Sequence, residues 1–286
     1  MRSDCWHTGT ETIDGSRRFY RDWRPAHETS LPGLALHGSL SQSGSWIALA
    51  ETAGSIRMLC PDQRGFGLSE DPGSDACAEF ADDAIALAQR LLPPRFVVMG
   101  HSFACSIALE VALRAPDRVA ATVLVDPVVP IKKPVGGPAP APVAIAKPES
   151  FASREEAERH FRETEEGAWP GDTLRCFVED IMLRDGETGS WRFPYSSPRL
   201  RRLRAFTASA ESDFDLLAKA QAVRCTVLVF RGAASKRFLA AAEKPFLDAF
   251  ASEPKLVVCP ASGHFPANTE VALVADVLKR FLVGVR

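Results

Sequence analysis

Ser102 lies in the run Gly100-His101-Ser102-Phe103-Ala104, between an apolar stretch, Phe96-Val97-Val98-Met99, and a stretch with helical spacing from Cys105 to Arg114. A serine hydroxyl is a poor nucleophile until a base within hydrogen-bond reach takes its proton, so a catalytic serine has to project clear of the sheet that carries it. A sharp strand-turn-helix corner does this, provided the residues two before and two after the serine are small enough for strand and helix to approach each other. Gly100 and Ala104 meet that condition, although glycine is the commoner residue at the second place. The following helix also favours negative charge developing near its N-terminus. A serine here would serve equally as a plain helix N-cap; it is the strand-turn-helix setting, more than the five-residue string, that points to nucleophilic catalysis.

Such a corner needs a sheet to stand on. Short apolar runs bounded by Gly, Pro or Asp predict buried strands at Leu34 to Leu36, Ile56 to Cys60, Phe96 to Met99, Ala121 to Val125, Thr226 to Phe230 and Leu256 to Cys259. Between them, three-to-four spacing of apolar residues predicts helices at Ser43 to Ala53, Ala76 to Leu92, Phe103 to Arg114, Lys236 to Phe250 and Thr269 to Val283. This alternation is that of βα units building a mostly parallel sheet. Thr10 to Trp23, with Asp14-Gly15 at its middle, reads as an antiparallel hairpin. One stretch breaks the alternation. Residues 131 to 146 are crowded with Pro, Ala and Gly, and helical patterns follow at Ser153 to Glu165, Asp172 to Leu183 and Pro198 to Thr207. We expect a mostly helical cap over residues 131-218, inserted into a core made of residues 1-130 and 219-286.

The bulk numbers narrow the classes. The 286 residues are 46% hydrophobic and 24% charged, with a formal net charge of -2. That suits a globular protein with a sizeable core and gives no basic footprint for nucleic acid. Seven scattered cysteines form no C-x-x-C pair and, being odd in number, suit a reducing cytoplasm better than a disulfide framework. The N-terminus lacks an apolar leader core, and no run approaches the roughly 18 apolar residues needed to cross a bilayer. The expected partner is therefore a small-molecule substrate, with no nucleic acid and no membrane. No His or Cys spacing suggests a metal, and no cofactor is implied.

The chain resembles the α/β-hydrolase superfamily over nearly its whole length outside the cap. Besides the serine corner, Leu36-His37-Gly38-Ser39-Leu40 looks like that family's oxyanion loop, Asp62-Gln63-Arg64-Gly65-Phe66-Gly67-Leu68-Ser69 like its D-x-R-G-x-G-x-S loop, and Ser262-Gly263-His264-Phe265-Pro266 like the loop of its general base. The resemblance implies a mostly parallel eight-stranded sheet flanked by helices, with a helical cap after the sixth strand. It also implies Ser102 as nucleophile, His264 as base, and the amides of Ser39 and Phe103 as the oxyanion hole. An imidazole suits the base because its ordinary pKa of about 6.5 lies near working pH. His101 and His37 are its rivals. Asp62 and Arg64 are read as braces of a tight turn.

The acid departs from the pattern. The family usually carries it after the strand that follows the cap, in contexts such as R-G-x-x-S-D or G-x-x-D, but this chain reads Arg231-Gly232-Ala233-Ala234-Ser235-Lys236. Some members resembling it take the acid from the end of the preceding strand, where this chain has Asp126 in Val125-Asp126-Pro127. Asp126 is the expected acid, ahead of Asp213 and Asp215, which read as helix caps. The implied activity is hydrolysis of an ester, lactone or related acyl bond through an acyl-enzyme. Two alternatives stand beside it: a cofactor-free carbon–carbon hydrolase or dioxygenase, and a ligand-binding member that has lost the acid. Leu40, Trp46 and Trp191 are candidate substrate contacts, and cap aromatics including Trp169, Phe177, Phe193 and Phe206 suggest an apolar or aromatic substrate. The arginines at 199, 201, 202 and 204 read as a solvated helix face.

Overall fold

A computed structural model of the chain describes residues 4–129, 148–164 and 169–285. The opening hairpin forms as expected from β1 (Trp6–Ile13) and β2 (Ser16–Trp23), with positive φ at both turn residues, Asp14 and Gly15. Then come β3 (Gly33–Leu36), α1 (Ile47–Ala53), β4 (Met58–Pro61), α2 (Cys77–Leu91), β5 (Phe96–His101), α3 (Ala104–Arg114) and β6 (Val119–Val125). After the inserted segment the core resumes with α7 (Leu216–Ala222), β10 (Thr226–Gly232), α8 (Glu243–Leu247), β11 (Lys255–Cys259), α9 (Pro266–Thr269) and α10 (Val271–Val283).

Eight strands form one sheet in the order β1-β2-β4-β3-β5-β6-β10-β11. β2 pairs antiparallel with β1 and β4, and the other pairings are parallel. Because side chains alternate along a strand, Val98, Leu124 and Val229 face α2, α3 and α7, whereas Met99, Val125 and Phe230 face α1 and α10. Both faces are thus buried, which is why these strands read as unbroken apolar runs. Among the described residues no helix is long and apolar enough to cross a membrane.

The segment between β6 and β10 carries α4 (Arg154–Thr164), α5 (Thr173–Ile181) and α6 (Ser197–Thr207), together with a small antiparallel sheet of β7 (Ser150–Phe151), β9 (Trp191–Arg192) and β8 (Leu183–Arg184). Two-residue strands carry no period, so the sequence pattern gave no sign of them. The Pro-rich stretch, with the expected cap boundary at 131, lies outside the described residues, as does Glu165 at the end of the first cap helix. The other expected boundary, at 218, falls inside α7, which packs Leu216 and Ala220 into the core.

One expected helix is much shorter. Lys236 to Phe250 holds a 3-10 turn at Ala240–Ala242 and the five-residue α8. Pro245 cannot donate a backbone hydrogen bond and fits only in the first turn of a helix. The chain before it is taken up by a turn around Ser235.

The arginine-rich helix α6 is solvated only in part: Arg201 is exposed, but Arg199 is buried. Arg199 is 2% exposed and is paired with Asp75, and its guanidinium lies over the rings of Phe66 and Phe80. Arg202 bonds Asp75 at 2.8 Å and Asp71 at 2.6 Å. A Cβ at Gly65 would strike the Arg199 side chain, so the glycine in that loop makes room for the cap. Gln42 Nε2 donates to the Ile181 carbonyl (2.9 Å) and the Gly67 amide to that of Pro194 (2.6 Å), adding two further ties between core and cap.

Candidate active site

The candidate residues sit at the carboxyl ends of neighbouring strands, where loops of a parallel sheet converge. Ser102 directly follows β5 with φ of +60°, a left-handed conformation that costs a non-glycine residue free energy. Its amide donates to the Val125 carbonyl on β6 at 3.0 Å, which holds the corner in place. A Cβ on Gly100 would collide with the Ala104 carbonyl, so glycine is required where strand and helix close together.

Asp126 follows β6, fully buried, with φ of +45°. Its amide donates to the Phe230 carbonyl at 2.8 Å. One step along the sheet, Gly232 ends β10 so close to Gly263 that a Cβ there would overlap the Gly263 carbonyl. The Ala234 amide donates to the Ser262 carbonyl at 3.0 Å, and Ser262 Oγ bonds Glu270 at 2.6 Å. The loop after β11 is thereby folded back over the sheet edge, and it brings His264 to the other two residues.

The result is a continuous line. His264 Nε2 lies 2.9 Å from Ser102 Oγ and His264 Nδ1 lies 2.6 Å from Asp126 Oδ2. With Nδ1–H donating to the carboxylate, Nε2 is left with a lone pair facing the serine hydroxyl. Asp126 Oδ1 accepts the Gly232 amide at 2.9 Å, and Oδ2 also accepts the Ser235 hydroxyl at 2.6 Å.

The two rival histidines are occupied elsewhere. His101 donates Nε2–H to the backbone carbonyl of His264 at 2.7 Å, and burial, with the neighbouring His264 adding to it, lowers its pKa to about 3. It stays neutral and braces the backbone of His264. His37 donates Nδ1–H to the Gly38 carbonyl (2.8 Å) and accepts the Gln63 amide at Nε2 (3.0 Å), while Gln63 Nε2 donates to the His37 carbonyl (2.6 Å). Burial lowers its pKa as well. Both ring nitrogens are spent on fixing the His37-Gly38-Ser39 loop. Gly38 in turn lies against Ser102: a Cβ there would sit 3.3 Å from that of the serine. The amide of Ser39 follows immediately, and no acceptor among the described residues takes it or the Phe103 amide.

The acidic residues outside the line have structural duties. Asp62 accepts the amides of Ser43 and Leu68, at 2.8 and 2.9 Å, and Arg64 bonds Asp83 at 2.8 Å, as the bracing reading expects. Asp213 accepts the Cys77 and Ala78 amides at the head of α2, and Asp215 caps α7.

The candidate substrate contacts divide. Trp46 is 1% exposed and belongs to the core between the sheet and α1 and α10, so packing accounts for it, not an open pocket wall. Leu40 and Trp191 are half-buried, Trp191 against the aromatic cluster of the cap. That cluster includes Phe151, Phe161, Trp169, Phe177 and Phe193, and Phe265, beside His264, joins it through rings 5.8 Å from Trp169 and 5.0 Å from Phe177. Phe103 stacks on Phe214 and meets Phe80 edge-on. Sequence reasoning missed the part played by Phe265, the pinning of His37 by Gln63 and the bond from Ser235 to Asp126. Only the last had a signal, a serine where a carboxylate was sought. Among the described residues no group of three or more His, Cys, Asp or Glu is placed to hold a metal ion.

Comparison with known proteins fits this geometry. The model of the alpha/beta hydrolase family matches residues 34–277, and the chain belongs to that family. A non-heme chloroperoxidase of Streptomyces lividans is 34% identical over 124 residues, 42% of this chain and 44% of the relative. A pimeloyl-[acyl-carrier protein] methyl ester esterase of Nitrosomonas europaea is 35% identical over 93 residues, 32% of this chain and 35% of the relative. The aligned part is thus less than half of either relative. Among solved structures, the thioesterase domain from the curacin biosynthetic pathway superposes with a TM-score of 0.75 at 16% identity, covering 96% of this chain and 100% of that one. That likeness is one of fold.

Proposed function

We propose that the protein is a serine hydrolase that cleaves an ester, lactone or related acyl bond of a small apolar or aromatic substrate. The observation that carries this reading is the unbroken hydrogen-bonded line from Ser102 through His264 to Asp126. Ser102 Oγ attacks the carbonyl carbon while His264 Nε2 takes its proton, and Asp126 stabilises the imidazolium so formed. The amides of Phe103 and Ser39 receive the oxyanion of the tetrahedral intermediate. As the intermediate collapses, His264 gives its proton to the leaving oxygen and the acyl group remains on Ser102. A water then gives a proton to His264 and attacks the acyl carbon. The proton returns to Ser102 Oγ and the carboxylic acid departs.

A buried carboxylate bonded to His264 supplies the acid whose apparent loss motivated the ligand-binding alternative. Phe103, next to Ser102, is half-buried like Leu40 and Trp191, and these three side chains support contact with an apolar acyl or alcohol group. The test is steady-state hydrolysis of a panel of short aryl esters and lactones. Wild type should turn over at least one, and Ser102→Ala should lower kcat/KM at least about a thousandfold. A variant as active as wild type would remove Ser102 from the chemistry.

A further inference from the structure

The bond from Ser235 to Asp126 does more than fill a gap in the loop. Ser235 lies three residues beyond Gly232, the place where a G-x-x-D loop would carry its acid, and its hydroxyl is 2.6 Å from Asp126 Oδ2, the oxygen that also bonds His264. The same Ser235 oxygen accepts the amides of Arg237 and Phe238, each at 3.1 Å. A hydroxyl has two lone pairs and one proton. With both lone pairs facing amides, the proton has one direction left, toward the carboxylate. Phe238, whose amide is one of the two, is fully buried against Phe246, so the turn is anchored in the core.

We propose that Ser235 is a positioning residue for the acid: its hydroxyl, oriented by two backbone amides, fixes the Asp126 carboxylate in the rotamer that bonds His264. The proposal rests on the triad reading above and deepens it. Asp126 stands at the end of its own strand in a left-handed conformation, and a carboxylate is free to turn about its side-chain torsions unless both oxygens are tied. The Gly232 amide ties Oδ1 and Ser235 ties Oδ2, which leaves Oδ2 aimed at His264 Nδ1. Ser235 touches neither Ser102 nor the oxyanion loop in any hydrogen bond, so it acts through Asp126 alone.

The hydroxyl also presents the positive end of a dipole to Oδ2. Removing it takes that donor from Oδ2 and frees the carboxylate to turn away from His264 Nδ1. The other titratable and charged groups around this pair are His101 and Cys105 from the elbow, Arg231 with its partner Glu243, Lys236 and Arg237 of the turn, Cys259 of β11, and Glu270 before α10. They are common to all variants, so a difference between variants reports on the hydroxyl.

The experiment compares wild type, Ser235→Ala and Ser235→Thr. Two readouts are taken: ester hydrolysis across pH, and the titration midpoint of the His264 ring, followed by NMR in the folded protein without substrate. Ser235→Ala should lower kcat about tenfold with KM within about twofold, and should move the His264 midpoint and the acidic limb of kcat/KM away from their wild-type positions. Ser235→Thr, which keeps a hydroxyl, should restore both. An unmoved midpoint in Ser235→Ala, or equal losses in Ala and Thr, would overturn the proposal and leave Ser235 as packing. A moved midpoint in a protein with no hydrolytic activity would instead refute the hydrolase reading and keep the Ser235 assignment.

Discussion

Two buried polar regions of this molecule are built on opposite plans. At the carboxyl edge of the sheet, Ser102, His264 and Asp126 share short bonds between side chains, and each is held by backbone: Ser102 by the Val125 carbonyl, Asp126 by the Phe230 carbonyl and the Gly232 amide, and His264 through the His101 ring. Under the cap, Arg199, Arg202, Arg64 and Arg18 interlock with Asp71, Asp75 and Asp83 as formal charges drawn from four separate segments. The first region spends backbone strain, at Ser102 and Asp126, to place three groups. The second neutralises charges that have been taken out of water, and its loss is a loss of stability. Function and stability should therefore separate when each region is cut.

The sharpest cut is Ser102→Ala. Hydrolysis should fall by at least about a thousandfold, while the urea midpoint stays near that of wild type. Next comes Asp126→Asn. An amide presents its NH₂ or its carbonyl to His264 and cannot stabilise the imidazolium, so kcat should fall by about two to four powers of ten with KM little changed. A change below about threefold in kcat would return the acid's role to another residue.

In the second region the order reverses. Arg199→Met leaves the buried Asp75 with Arg202 as its remaining ion-pair partner and should cost about 3 kcal/mol in urea unfolding, while kcat stays within about fivefold. If this variant lost activity as completely as Ser102→Ala while still folded, the separation of the two regions would be broken.

Acid sensitivity offers a finer comparison. His101 is neutral in the folded protein, with a pKa lowered to about 3 mainly by burial, against about 6.5 in the unfolded chain. Between those values the unfolded state binds the extra proton, so stability falls as pH drops through that window and is unaffected above it. His101→Gln should therefore lose about 1–2 kcal/mol less than wild type between pH 7 and pH 5, measured by urea melts at both. The smallest expected change in stability is that of Ser102→Gly. Removing the side chain from a left-handed position should stabilise the fold by about 1 kcal/mol while abolishing turnover.

The two regions also differ in how far the sequence revealed them. Ser102, His264 and Asp126 each sit just beyond a strand or in a short loop whose apolar run or glycine punctuation is local, so their placement at one edge follows once the strands are read as parallel. Arg199 and Asp75 are 124 residues apart, and nothing local distinguishes a buried arginine from a solvated one on an amphipathic helix. The same holds for Trp46: a tryptophan shortly after the His37-Gly38 loop has no local mark that separates a pocket wall from the core. The short α8 was legible in principle, because Pro245 stood inside the expected helix. Ser235 was read only for what it lacked, a carboxylate, and its hydroxyl gained meaning when the turn brought it to Asp126.

The central claim is that Ser102 carries the acyl group. Incubation with an aryl fluorophosphonate, followed by intact-mass and peptide mapping, tests it directly. The account predicts one adduct per chain, located on Ser102, formed with loss of hydrolytic activity and absent from Ser102→Ala. An active protein that remained unlabelled at Ser102, or an adduct at another residue that tracked inactivation, would contradict it.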